Sequence, residues 1–376
     1  MVYLDNASTT QVCPEAAQAA LEAMTVNYGN PSSTHRLGRQ AKKILDDSRA
    51  SAAKALGCDS AQLYFTSCGS ESDNWAIING AQYSRAGRHI ITSKAEHDAV
   101  LKSASFMAER GWEVTYLSPA ADGSVSADTV LGALREDTAL ISLMLVNNET
   151  GAVTDIAGIA RAVRQTGSKA LIHTDAVQGF MKISFSAKTL GADMISVSGH
   201  KIHAPKGIGA LYVRQGLNLP PYIHGGAQES GKRAGTEPLP QIAAFGAAVR
   251  KAAADMEQSS AHMSQLRQYA VRRLTDENEG LLIIGGGAPH ILSFSLPGYR
   301  SEVMMNFLEA RDIFVSKSSA CKKGGRSHVL EAIGLKNAVI DSAIRVSLSR
   351  FTNIGDIDAL CDAVRAARGS LRTSLR

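Results

Sequence analysis

The 376 residues suffice for one large domain with a smaller partner, and a hydrophobic content of 44% supports a full core. The formal charge of +5 is spread thinly, with no basic block beyond Lys322, Lys323 and Arg326, which argues against a nucleic-acid partner. No apolar run is long enough to span a bilayer. Five cysteines without CxxC pairs or Cys/His ligand spacing fit a reducing cytosol better than a disulfide framework or a zinc site. Met1 leads directly into Val-Tyr-Leu, so no signal peptide is expected, and the expectation is a soluble cytoplasmic protein.

Val2–Leu4 reads as a short strand, followed by a turn over Asp5–Thr10 and a helix over Pro14–Met24 with proline near its first turn. The turn formers of Asn27–His35 give a loop, and Arg36–Leu56 gives a helix stopped by Gly57. Strand Leu63–Thr66 runs into a small-residue turn, Ser67 to Asn74, that opens a helix through Ala81. Strands follow over His89–Thr92, Leu140–Val146, Ala170–His173, Met194–Val197 and Gly209–Val213. Strands alternating with helical segments predict an α/β domain around a mainly parallel, doubly wound sheet. Beyond a linker-like His224–Pro240, one long Ala-rich helix is expected over about Gln241–Asn278. The remainder reads as strand Ile291–Leu296, helix Ser301–Arg311, strand Ile313–Val315, helix Ser327–Ile333, strand Ala343–Ser347 and helix Ile354–Arg368. These elements make a smaller α+β domain. The division expected is residues 13–255 and 256–376, with residues 1–12 joining the second.

Open α/β sheets put their chemistry at the carboxyl ends of the strands. Seven polar residues fall there: His97, Asn148, Asp175, Gln178, Ser198, His200 and Lys201. Any one of them could be a buried, satisfied polar residue, but seven on one rim are hard to explain that way. A lysine held at a strand end can act as an amine nucleophile, although most Gly-His-Lys tripeptides are surface turns. Asp175, about two dozen residues before Lys201, stands where a pyridoxal phosphate enzyme needs a partner for its pyridinium nitrogen; the plainer reading is a helix N-cap. The turn around Gly69 and Ser70 suits a phosphate at a helix N-terminus, or equally plain capping by Ser70 or Ser72. Cys321, on a loop beside three cations, should favour its thiolate.

Together these residues carry a resemblance. Tyr3-Leu4-Asp5-Asn6-Ala7 at the start, Gly29 to Ser33 with His35, Thr66-Ser67 with Glu71 to Asn74, Glu96-His97, Val146 to Glu149, Asp175 with Gln178, Ser198 to Lys201, Pro205 to Gly209, Arg233 to Thr236, Ser319 to Cys321 and Ile344-Arg345 appear in one order. The chain resembles the cysteine desulfurases of the NifS and IscS type, in the class V aminotransferase group of fold-type I pyridoxal phosphate enzymes. The resemblance implies that Lys201 forms the Schiff base with pyridoxal 5′-phosphate and shuttles the Cα proton. His97 would stack on the ring, Asp175 bind its nitrogen and Gln178 its phenolic oxygen. Gly69, Ser70, Ser198 and His200 would hold the phosphate, with Thr236 reaching in from a second subunit of a homodimer. Asn148 and Arg345 would hold the carboxylate of the substrate, L-cysteine. Cys321 would take the sulfur as a persulfide, leave alanine, and pass the sulfur to an acceptor protein in iron-sulfur cluster assembly or another thiolation pathway.

The chain departs from the family pattern in three places. Cys68 stands where glycine is usual, adding a thiol beside the phosphate turn. Ser318 replaces the usual glycine before Ser-Ala-Cys, which stiffens that loop. The segment after Cys321 is shorter and more basic than usual. Three rival readings stand beside the desulfurase: a selenocysteine lyase or an aminotransferase on the same fold, and an inactive homologue retained for binding. Ser-Ser-Ala-Cys argues against the first two, and intact Lys201, Asp175, His97 and Cys321 against the last.

Overall fold

The computed structural model describes residues 1–317 and 325–371, so Cys321 and its neighbours lie outside the described residues. Strand β1 (Val2–Tyr3) stands apart from the main sheet. Seven strands form that sheet: β2 (Leu63–Thr66), β3 (His89–Ser93), β4 (Glu113–Leu117), β5 (Thr138–Ser142), β6 (Leu171–Asp175), β7 (Met194–Ser198) and β8 (Gly209–Val213), in the order β2-β8-β7-β6-β5-β3-β4. Only β8 runs against its neighbours. The carboxyl ends of the other six therefore emerge along one edge.

Apolar residues sit on both faces of each central strand, as a sheet covered on both sides demands. Ile91, Ile141, Ile172 and Ile195 point into one core, beneath the helices Arg36–Leu56, Ile156–Gln165 and Leu239–Ala254. Their neighbours Ile90, Leu140, Leu171 and Met194 point into the other, against Trp75 and Ile77 of helix Gly69–Tyr83 and Val100 and Met107 of helix Asp98–Ala108. The sheet is doubly wound, as the alternation of elements predicts.

The smaller domain carries an antiparallel sheet in the order β12-β13-β10-β9, from β9 (Leu282–Ile284), β10 (Ile291–Ser295), β12 (Ser316–Lys317) and β13 (Ala343–Ser347). Strand β1 pairs in parallel with β11 (Ile313–Phe314), so the N-terminus joins this domain. Its core packs Met263, Leu266 and Leu274 of helix Met256–Glu277 against Leu292, Phe294, Ile344 and Val346, with Leu360 and Val364 of helix Ile354–Ser370.

Two expectations are corrected. The long helix over Gln241–Asn278 is two helices, Leu239–Ala254 and Met256–Glu277, broken at Asp255 (φ −116°, ψ 11°). The first is buried along most of its length under the large sheet, whereas the second shows a single buried stripe to the small domain. The change of burial partner, with no Gly or Pro to mark it, imposes the break. The strand expected over Ile313–Val315 is two short strands, β11 and β12, which pair with β1 and β13 respectively.

Candidate active site

A cavity of about 350 Å³ opens at the carboxyl edge of the large sheet, against the small domain. All seven rim residues read from the sequence line it, as do Gly69, Ser70, Arg345 and Cys68. Each strand end delivers its side chain through a short connection. Asp175 is the last residue of β6, Ser198 the last of β7, and Lys201 closes the single turn Gly199–Lys201 that follows. His97 caps helix Asp98–Ala108, where its Nδ1 accepts from Ala99 N at 3.1 Å. That bond puts the proton of a neutral ring on Nε2.

Lys201 Nζ donates to Ala7 O (2.6 Å) and Ser8 O (2.7 Å), and Gln178 Nε2 donates to Ala7 O (2.8 Å). The N-terminal turn thus forms part of the site. Asp175 Oδ1 accepts from Val177 N at 2.9 Å. Burial raises its carboxyl above the usual range, while His97, that backbone bond and Lys201 pull it back down. Arg345 is 2% exposed and spans the cavity wall: Nη1 donates to Asn148 O (2.9 Å), and Nη2 to Asp5 Oδ1 (2.9 Å) and Ser8 Oγ (2.6 Å). His200, whose Nδ1 lies 3.3 Å from Thr9 Oγ1, is brought down to about 4 by burial and by Lys201 and Lys206, so it is neutral at pH 7.

The cavity also holds groups that sequence reasoning did not single out. Asp73 and Glu96 are each 1% exposed, and burial lifts both carboxyls well above the usual range. Glu96 Oε1 accepts from Met144 N at 2.9 Å. Glu149 bonds through Oε2 to Ser327 Oγ (2.5 Å), and burial raises it to about 7. The available signal was positional: Glu96 and Glu149 adjoin His97 and Asn148, and Asp73 follows the phosphate-type turn. Thr236 is exposed and does not line the cavity of its own chain. Cys321 and Ser318 lie outside the described residues.

An amine, a buried carboxylate, an imidazole and a helix N-terminus facing one pocket can hold a phosphorylated ring and handle protons beside it. The profile of the aminotransferase class V family matches residues 2–360. A cysteine desulfurase IscS from Methanosarcina thermophila is 40% identical over 375 residues, 96% of this chain and 91% of its own length. A solved NifS-like protein superposes with a TM-score of 0.92 at 34% identity, covering 98% of this chain and 100% of that one. SspA, solved in complex with cysteine, gives 0.81 at 33% identity over 94% of this chain and 100% of its own. Similarity of this extent, over both domains and the cavity between them, settles descent: the chain belongs to the class V aminotransferase family, among the cysteine desulfurases of the NifS and IscS type.

Proposed function

We propose that the protein converts L-cysteine to L-alanine and takes the sulfur onto Cys321 as a persulfide, with pyridoxal 5′-phosphate bound in the 350 Å³ cavity. The observation that carries this reading is the convergence of Lys201, Asp175, Ser198 and Gln178 on one pocket. The residues fit the cofactor. Ser198 Oγ and Gln178 Oε1 are buried without a hydrogen-bond partner among the described residues, and a phosphate and a ring hydroxyl would supply what they lack. Gly69 opens helix Gly69–Tyr83, and a Cβ there would stand 2.7 Å from Val177 Cγ2, so only glycine leaves this cradle open to an anion. Asp175 is a buried carboxylate for which a protonated ring nitrogen is a fitting counter-charge.

When bound, pyridoxal phosphate supplies an aldehyde for an amine and a ring that takes up the electron pair released at the substrate Cα. The chain's own groups do the rest. Lys201 Nζ supplies the amine and carries the Cα proton. His97, fixed by its bond to Ala99 N, presents Nε2 for proton transfer. Asn148 and Arg345 orient the substrate carboxylate, for which a planar guanidinium suits bidentate binding. Gly69, Ser70, Ser198 and His200 hold the phosphate, and Thr236 does so from a neighbouring subunit. The Cys321 sulfur bonds to the cysteine sulfur as the substrate C–S bond breaks, and the carbon takes a proton to become the alanine methyl. An acceptor thiol, on a protein or a small molecule, then receives the sulfur.

The test is turnover of the purified holoenzyme with L-cysteine and a reducing thiol. Alanine and sulfide should appear in equal amounts, and one added sulfur should be found by mass spectrometry on the peptide holding Cys321. Cys321→Ala should keep the cofactor's absorbance and exchange of the Cα proton while losing the persulfide and at least about a hundredfold in alanine formation, a floor well below the loss that removing a catalytic nucleophile can cause. Keto-acid formation without sulfide points to an aminotransferase, turnover of selenocysteine alone to a lyase, and no turnover with either to a binding homologue.

A further inference from the structure

Away from the active site, a second and much smaller cavity lies where the large domain meets helix Met256–Glu277 and the segment after β13. It is lined by Lys182, His203, Arg350, Met181, Ser259 and Met263, among others, and offers about 20 Å³ to the centre of a water-sized particle. That is room for one water or one monatomic ion, and too little for sulfate, phosphate or a carboxylate.

Its two cationic side chains are unsatisfied. Lys182 is 4% exposed, and its Nζ has no hydrogen-bond partner among the described residues; neither have Nε and Nη2 of Arg350. Ammonium and guanidinium groups are donors only, so they cannot satisfy one another. His203 donates through Nδ1 to Gln11 O at 2.8 Å, and burial brings it down to about 4, so it is neutral at pH 7 and cannot supply a counter-charge. The charges that act on Lys182 are Lys201 and Arg350, both positive. His290, buried with both ring nitrogens unpartnered, is kept neutral by burial and by Lys182 and Arg345. The carboxylates Glu15 and Asp255 interact with Arg350 but are not among the charges that act on Lys182, and Asp255 is already paired with Lys251 at 2.8 Å. Met181 (φ 57°) and His203 (φ 69°) both hold left-handed backbone, a strained conformation that persists where the surroundings fix it, ligand clamps among them.

A buried ammonium without a partner either gives up its proton or takes an anion. Losing the proton would relieve Lys182, which burial lowers to about 7, but no hydrogen bond joins its Nζ to Arg350, and the guanidinium would keep its charge with no counter-charge in the cavity. A water could accept from both but neutralises neither. We propose that this cavity binds one halide ion, chloride in the cell, between Lys182 Nζ and the Arg350 guanidinium. The ion ties the turn after Gln178 to the segment after β13, and so the large domain to the small one.

Crystals of the holoenzyme grown in sodium bromide, with data collected at the bromine absorption edge, test the assignment without any substitution. An anomalous peak in contact with Lys182 Nζ and Arg350 is expected; an ordered water there, or no anomalous signal, overturns it. In solution, the unfolding midpoint should rise with the logarithm of bromide concentration above the dissociation constant, and not with sodium gluconate at equal ionic strength. Lys182→Met should abolish that bromide dependence and Arg350→Lys should weaken it. A bromide response that Lys182→Met retains in full also overturns the proposal.

Discussion

Asp73, Glu96, Glu149 and Asp175 share the cavity beside Lys201, and burial acts on each carboxyl in the same direction while local bonds decide how far. Glu149 gives the clearest test. Burial raises it from 4.5 to about 7 against the opposing effects of Ser327 Oγ and Arg345. In the unfolded chain the group returns to the ordinary value, so between those two pH values the folded protein holds a proton that the unfolded chain has lost. The stability due to neutral Glu149 is therefore complete below pH 4.5 and lost as pH rises through 7. At about 1.4 kcal/mol per pH unit of displacement, the loss is about 3 kcal/mol. Glu149→Gln keeps an acceptor for Ser327 Oγ and removes the ionisation. Thermal unfolding of both holoenzymes at about pH 5 and about pH 8 should show the variant gaining several degrees on the wild type at the higher pH; an unchanged difference would mean that Glu149 is ionised throughout. At this scale, what the sequence made legible was position. Strand ends named His97, Asp175 and Lys201, but the upward shift of the Asp73, Glu96 and Glu149 carboxyls follows from burial, which emerges only from packing.

Elements were legible where their pattern was strong. Central strands such as Met194–Ser198 are buried at every residue and read as apolar runs. The edge strand β4, Glu-Val-Thr-Tyr-Leu, is exposed at its first residue and half-buried at the next three, so it offers no such run. Least legible was how the linker-like segment from His224 to Pro240 is held. Glu229, whose side chain is 2% exposed on left-handed backbone (φ 48°), accepts from Nη1 and Nη2 of Arg49 (2.6 and 2.7 Å) and from Phe65 N (2.9 Å). The long sequence separation hides this clamp from any local pattern. It fixes the loop that carries Thr236 to β2, which in turn runs into the Gly69 turn. Glu229→Gln leaves the Arg49 charge without its partner, a change that costs about 3–5 kcal/mol for a buried pair. Denaturant unfolding should show that loss. The double variant Arg49→Met/Glu229→Gln should lose less than the sum of the two single changes, because no charge is then left unpaired. Strict additivity would mean that the two side chains act independently.

For the whole molecule, the exposed position of Thr236 bears on assembly. Its hydroxyl is outside the cavity of its own chain, yet Arg233, three residues earlier, bonds to Glu71 (2.9 Å) in the helix that opens at Gly69. The loop therefore runs beside one site without entering it, and a two-fold partner is the simplest arrangement in which Thr236 meets a phosphate. In such a dimer each site takes Lys201 from one chain and Thr236 from the other. Lys201→Ala removes the amine, and Thr236→Asp sets a negative charge against the phosphate, so each variant alone should be nearly inactive. When the two are unfolded together and refolded as a mixture, random pairing makes half of the dimers mixed. Each mixed dimer has one site with both native residues, so activity should return to about a quarter of the wild-type level. If Thr236 instead serves its own chain, a mixed dimer holds one site lacking the Lys201 amine and one site bearing the Thr236→Asp change, and the mixture stays inactive. Sedimentation of the same samples separates that outcome from a failure to pair: dimers without recovered activity would refute the shared site, and an active wild-type monomer would refute the dimer itself.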